Sequence, residues 1–219
     1  MKLPQLAIFD MDGLIFDTER LMKEENAKVL AEYGYQQDME KYMYTMGTAG
    51  ATLMKRAREN YGEDFPAEEV YQKTEDRCRA RVLREGPPIK EGIPELLAFF
   101  LEQGVTCCVA SSTQSSTVAT FLKMANLSQF FAFQICGDQI SHSKPNPEIF
   151  QKCLTQNGTD PGDAVVFEDS ENGIRAAVNA GIPGICILDM KVPCEEVATQ
   201  TAAILESAKE AISLFSNER

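Results

Sequence analysis

Two textures alternate along the chain. Short apolar runs at 6–9, 105–110, 133–136, 164–167 and 185–188 are too short for helices and predict buried strands. Between them, apolar residues recur at helical spacing. Residues 94–103 place Leu96, Leu97, Phe100 and Leu101 on one side, and 115–125 carry Val118, Phe121 and Leu122. A helix at 147–156 starts with proline in its first turn, and one at 172–180 is closed by Gly181. Strands alternating with helices predict an α/β fold, a doubly wound parallel sheet with helices on both faces. Residues 195–219 predict one amphipathic helix after a loop.

The first strand is set apart from the others. From Thr18 onward only helical patterns occur, over 20–33, 38–45, 49–61 and 67–84, and Gly86-Pro87-Pro88 ends them. This predicts a core of 1–17 and 85–219 interrupted by an all-helical domain of 18–84. No internal repeat or low-complexity tract is visible.

With 219 residues, 44% of them hydrophobic, the chain can bury one sizeable core and a smaller module. The formal net charge of -12 argues against a nucleic-acid polymer or an anionic membrane as partner, but not against a small phosphorylated metabolite in a locally cationic cleft. No apolar run approaches the length of a membrane span, and the N-terminus shows no signal-peptide pattern. Seven cysteines without a Cys-x-x-Cys pair, mostly within apolar runs, suggest a reducing compartment, hence the cytoplasm. The single histidine, His142, reads as an exposed loop residue.

Chemistry enters where the strands end. Asp10 and Asp12 follow the first strand. In extended chain they leave the backbone on the same side, roughly 6.6 Å apart, and Gly13 allows a sharp turn. Ser111 and Ser112 follow the second strand, and Glu168 and Asp169 follow the run at 164–167. In a parallel sheet all three clusters lie on one rim. Lys144 sits in a proline-stiffened loop, Ser143-Lys144-Pro145-Asn146-Pro147. Each feature alone has a plain reading: a solvated Asp-Gly turn, serines or acids capping a helix, a surface lysine. Jointly they suggest Mg²⁺ and phosphate. One Asp would attack phosphorus, and the other would move the proton to and from the departing and attacking oxygens. Ser111 and neighbouring N–H groups would hold phosphate oxygens, while Lys144 balances the transferring charge.

Asp10-Met11-Asp12-Gly13, Ser111, Lys144-Pro145-Asn146-Pro147 and Phe167-Glu168-Asp169-Ser170-Glu171-Asn172-Gly173, in this order, resemble the four motifs of the haloacid dehalogenase superfamily, in the branch of β-phosphoglucomutase-like phosphatases. The resemblance covers nearly the whole chain. It implies a Rossmann-like core, with 18–84 as a cap that closes over the cleft and selects substrate. It implies Asp10 as nucleophile and Asp12 as general acid/base. It also implies Mg²⁺ bound by Asp10, the Asp12 backbone carbonyl and Asp169, with Glu168 nearby.

Departures refine the expectation. Ser143 replaces the glycine often found before the motif lysine, a minor change. Asp12 is present, which disfavours carbon–halogen cleavage. The resembling mutases carry a histidine early in the first cap helix, where Met22 stands here, and an arginine soon after a cap glycine. Here Gly47 is followed by Thr48-Ala49-Gly50, with no arginine until Arg56. Hydrolysis of small phosphomonoesters is therefore the favoured reading, with sugar phosphates before nucleoside monophosphates. Arg20, Lys55 and Arg56 are candidate substrate contacts or ordinary surface charges. A phosphosugar mutase is one alternative. A non-catalytic phosphate-binding or signalling module is the other, although receiver-type domains lack the helical insert and the Asp-x-Asp spacing. A monomer is expected.

Overall fold

The computed structural model describes residues 1–46, 48 and 50–216. Gly47 and Ala49, on which the mutase comparison turned, lie outside the described residues, as do 217–219. The chain divides into two compact units, one of Met1–Asp17 with the chain from Ile89 on, the other of Thr18–Pro88.

The first unit is built on β1 (Leu6–Phe9). The second unit supplies the next four elements, α1 (Thr18–Glu32), α2 (Met39–Thr45), α3 (Gly50–Tyr61) and α4 (Ala67–Glu85). The first unit then continues with α5 (Ile93–Glu102), β2 (Thr106–Ser111), α6 (Ser115–Met124), β3 (Phe133–Cys136), α7 (Glu148–Asn157), β4 (Ala164–Glu168), α8 (Glu171–Asn179), β5 (Gly184–Ile187), α9 (Glu195–Ala198), β6 (Ala203–Leu205) and α10 (Ala208–Ser216).

All strand pairs are parallel, in the order β3-β2-β1-β4-β5-β6. A sheet buried on both faces needs strands that are apolar at every position, which is why β1 is an unbroken Leu-Ala-Ile-Phe run with no exposed residue. Alternate residues feed two cores. Ala7 and Phe9 pack with Leu96, Phe100 and Phe215 on one face. Leu6 and Ile8 pack with Ile149, Phe150 and Cys153 on the other. Phe9 stacks on Phe167, its neighbour across the β1–β4 ladder, with ring centroids 4.8 Å apart.

Residues 195–219 do not form the single helix expected. Ala203–Leu205 pairs with β5 as an edge strand, fixed by Ala202 N to Gly184 O and Leu188 N to Leu205 O, both 2.8 Å, and helix α10 starts only at Ala208. The apolar spacing of Ile204, Leu205, Ala208, Ala211 and Phe215 imitates one continuous helical stripe, and tertiary pairing overrides it.

In the second unit, Met22 packs against Cys78, Sδ to Sγ 3.9 Å. Arg56 donates to the Tyr44 carbonyl at 2.7 Å and lies over its ring, while Lys55 faces Glu59 at 3.8 Å. Arg20 is exposed. Among the described residues, no helix is long and apolar enough to cross a membrane. Every cysteine is free, and all but Cys194 are buried.

Candidate active site

In a doubly wound sheet the ligand crevice opens beyond the carboxyl ends of the strands, where the winding reverses direction. Here that point is β1, flanked by β2 and β4. Asp10 N donates to the Phe167 carbonyl at 3.0 Å, carrying the ladder one residue past the strand and fixing Asp10 on the rim. Its carboxylate meets Lys144, whose ammonium donates to Asp10 Oδ1 at 2.5 Å, Glu168 Oε1 at 2.6 Å and the Ala110 carbonyl at 3.0 Å. The Lys144 side chain is only 7% exposed, with its ammonium over the Phe150 ring.

Local chemistry explains how the lysine is delivered. Glu148, first in α7, accepts from the backbone N–H groups of Ser141 and His142, at 3.0 and 2.9 Å, and so closes the loop that carries Lys144. Asn179 ties down its middle by donating to the Pro145 carbonyl at 3.0 Å. His142 is exposed on this loop and contacts Glu148.

Glu168 ends β4, and its second oxygen accepts from Ser170 N and Oγ at 3.2 and 2.9 Å. Ser170 itself caps α8 by accepting from Gly173 N. A β-carbon at Gly173 would lie 1.8 Å from Glu168 Cδ, so only glycine lets the first turn of α8 approach this carboxylate. Asp10, Glu168 and Asp169 each present one oxygen, all within 4.8 Å of one another.

Asp12 turns elsewhere. Thr113 Oγ1 donates to its Oδ2 at 2.8 Å, with Ser111 Oγ at 3.5 Å. Ser111 is fully buried and accepts from Thr113 N, so it does not cap α6, whose N-cap is Gln114. Ser112 is exposed. The geometry thus joins Asp10, Lys144, Glu168 and Asp169 in one cluster and Asp12, Ser111 and Thr113 in a second beside it. Sequence reasoning missed Thr113, although it continues the polar run after β2. It also missed Lys90 and Asp189, an ion pair of 2.9 Å with side chains 14% and 2% exposed.

Charge in the first cluster is unbalanced: three carboxylates face one ammonium. Burial pushes the Asp10 carboxyl up to about 8, against the pull of Lys144 and with the push of Glu168 and Asp12. Burial also drives Asp169 well above the carboxylate range, and the charges of Glu168, Asp10 and Asp189 add to it. For Lys144, burial opposes the charge, yet Asp10 and Glu168 outweigh it and hold its pKa above the ordinary value. Excess carboxylate oxygens at short mutual distance are the donor set a hard dication takes. The oxygens of Asp10, Glu168 and Asp169 therefore fit Mg²⁺.

The fold and this rim define a doubly wound α/β enzyme with an acidic, lysine-bearing crevice. A sequence profile of haloacid dehalogenase-like hydrolases matches residues 7–187. Phosphorylated carbohydrates phosphatase of Thermotoga maritima is 31% identical over 184 residues, 83% of this chain and 83% of that protein. Hexitol phosphatase B of Escherichia coli K12 is 28% identical over 206 residues, 93% of this chain and 90% of that one. Among solved structures, CbbY from Rhodobacter sphaeroides in complex with phosphate aligns with a TM-score of 0.72 at 25% identity, over 95% of this chain and 96% of that chain. The chain belongs to the haloacid dehalogenase-like hydrolases, and it is a phosphatase.

Proposed function

We propose that the protein hydrolyses small phosphomonoesters, sugar phosphates first, by way of a phosphorylated Asp10. The observation that carries this reading is the Lys144 bridge between Asp10 and Glu168, with Asp169 alongside, at the rim where the sheet reverses its winding. A carboxylate oxygen of Asp10 attacks phosphorus as the ester P–O bond breaks, and Asp12 gives its proton to the departing alkoxide. Asp12, now ionised, takes a proton from water. The water oxygen attacks the acyl phosphate, the P–O bond to Asp10 breaks, and inorganic phosphate leaves. Ser111 and Ser112 hold phosphate oxygens, and Lys144 balances the charge that develops on the transferring group. Asp10, Asp169 and the Asp12 carbonyl would hold Mg²⁺, with Glu168 beside it. When bound, the dication screens the anionic nucleophile from the anionic phosphate.

Substrate selection we ascribe to the helical unit, acting as a cap. The names of the Thermotoga maritima and Escherichia coli relatives, a phosphorylated carbohydrates phosphatase and a hexitol phosphatase, support a sugar or polyol phosphate, while a Drosophila melanogaster relative, named a probable pseudouridine-5'-phosphatase, keeps a nucleoside monophosphate as the second choice. The net charge of -12 supports a small-molecule partner rather than a nucleic-acid polymer or a membrane, and the free, mostly buried cysteines support a cytoplasmic location.

The test is a phosphate-release screen over a panel of phosphorylated metabolites, with Asp10→Asn as blank and Mg²⁺ added or chelated. Metal-dependent release that vanishes in Asp10→Asn is the expected result. Release that persists in that variant or in excess chelator overturns the reading. Accumulation of an isomerised sugar phosphate on adding a bisphosphate, without free phosphate, would make the protein a mutase.

A further inference from the structure

Lys90 lies outside every motif described above, just past the boundary between the two units. Its ammonium donates to the Gly13 carbonyl at 2.7 Å, to Asp189 Oδ1 at 2.9 Å and to the Leu188 carbonyl at 3.4 Å. The backbone repeats the connection. Lys90 N donates to the Ile15 carbonyl at 3.0 Å, and Phe16 and Ile89 form an antiparallel bridge. The turn that follows Asp10 and Asp12 is therefore bound to residues 89 and 90 and, through Lys90, to the end of β5. Asp169 packs against this same turn, since its Oδ2 stands 2.2 Å from where a β-carbon on Gly13 would be.

A largely buried ion pair, its side chains 14% and 2% exposed, is a costly way to hold a turn. Removing two charges from water opposes folding, and an apolar pair of the same volume would often serve stability as well. Asp189 also keeps one buried oxygen without a hydrogen-bond partner among the described residues. Stability is thus a weak account of this arrangement, and precise placement of the Gly13 carbonyl is a stronger one. A lysine ammonium can serve three acceptors from different segments at once, which an apolar side chain cannot.

We propose that Lys90, anchored by Asp189, is a positioning residue that sets the Gly13 turn so that Asp169 and Asp10 present their oxygens to one Mg²⁺ ion. The proposal rests on the metal reading of the Asp10, Glu168 and Asp169 cluster. It makes a prediction opposite in sign to that of charge alone. Deleting a cation beside an acidic cluster should tighten Mg²⁺ binding by electrostatics; releasing the turn should weaken it.

The experiment titrates Mg²⁺ calorimetrically into the full chain, comparing wild type with Lys90→Met, Lys90→Arg and Asp189→Asn, and measures kcat and KM on para-nitrophenyl phosphate in parallel. Lys90→Met should bind Mg²⁺ about tenfold or more weakly, the usual cost of losing a partner behind the ligands, and kcat should fall while KM stays within about twofold. Lys90→Arg, which keeps charge and donors, should recover most of the affinity. Should Lys90→Met not fold, Asp189→Asn carries the test, with Mg²⁺ binding weakened about threefold or more because Lys90 loses its charged anchor. Unchanged or tighter binding in Lys90→Met overturns the proposal, as does unchanged binding in Asp189→Asn. A wild-type protein that binds no Mg²⁺ overturns the metal reading itself, and this inference with it.

Discussion

Asp169 Oδ2 stands 2.2 Å from the point where a β-carbon on Gly13 would begin, so two motifs far apart in sequence interlock through an absent side chain. Gly13 also has φ +79°, a region that L side chains enter at a cost. Gly13→Ala therefore meets two obstacles. The backbone strain amounts to about 1–2 kcal/mol, which in a chain of this size lowers Tm by only several degrees. The clash displaces Asp169, and a shift of this kind near reacting groups costs about 10²-fold in turnover. Thermal melting and phosphate release should thus separate, with a small loss in the first and a large loss in the second. Near-normal kcat would show that Asp169 need not stay against the turn.

Asp12 is held by Thr113 and not by Lys144, which keeps it apart from the Asp10 cluster and suits it to handling protons. If it protonates the departing oxygen, Asp12→Asn should slow alkyl phosphates by about 10²–10⁴-fold and aryl phosphates with good leaving groups far less. A comparison of a sugar phosphate with para-nitrophenyl phosphate reads the difference directly. Equal losses on the two substrates would remove Asp12 from proton transfer.

The sheet was legible because its strands are buried on both faces. Leu6 to Phe9 and Ala164 to Phe167 are apolar at every position, a pattern few other structures demand. The clustering of Asp10, Ser111, Glu168 and Asp169 followed from a single topological fact, that parallel strands end on one rim. Ala203 to Leu205 misled because a short edge strand is only half-covered and its spacing runs on into α10. Lys90 carried no local signal at all. Its partners are 77 and 99 positions away in sequence, so its burial exists only after folding. Thr113 was visible as one more polar residue in a polar run, but which hydroxyl faces Asp12 is set by how the chain leaves β2.

Phe9 joins the core to the site. It is fully buried, stacks on Phe167 and meets Phe100 and Phe131 edge-on. Phe9→Ala should lower stability by about 3–5 kcal/mol, the usual cost of deleting a buried ring whose cavity cannot close. Denaturant unfolding measures it, with the midpoint shifting and the slope unchanged. A loss below about 1 kcal/mol would mean that the surrounding rings collapse into the space.

Glu148 links solution pH to the loop that carries Lys144. Its carboxylate takes the Lys152 ammonium at 2.9 Å and the backbone N–H groups of Ser141 and His142. The hydrogen bond from Lys152, then those from Ser141 and His142, hold the carboxyl down at about 2, against an ordinary 4.5. A folded-state pKa below the unfolded one means that the native protein binds fewer protons between these values. The contribution is then complete above about pH 4.5 and is lost as the pH falls toward 2. Glu148→Gln removes the charge and keeps the size. Its Tm should lie below that of wild type near neutral pH, and the gap should close steadily on acidification through this window. At neutral pH its kcat should also fall without vanishing, because Lys144 stays in place but on a looser loop. A Tm gap that stays constant from neutral pH down to about 2 would show that Glu148 acts by shape alone.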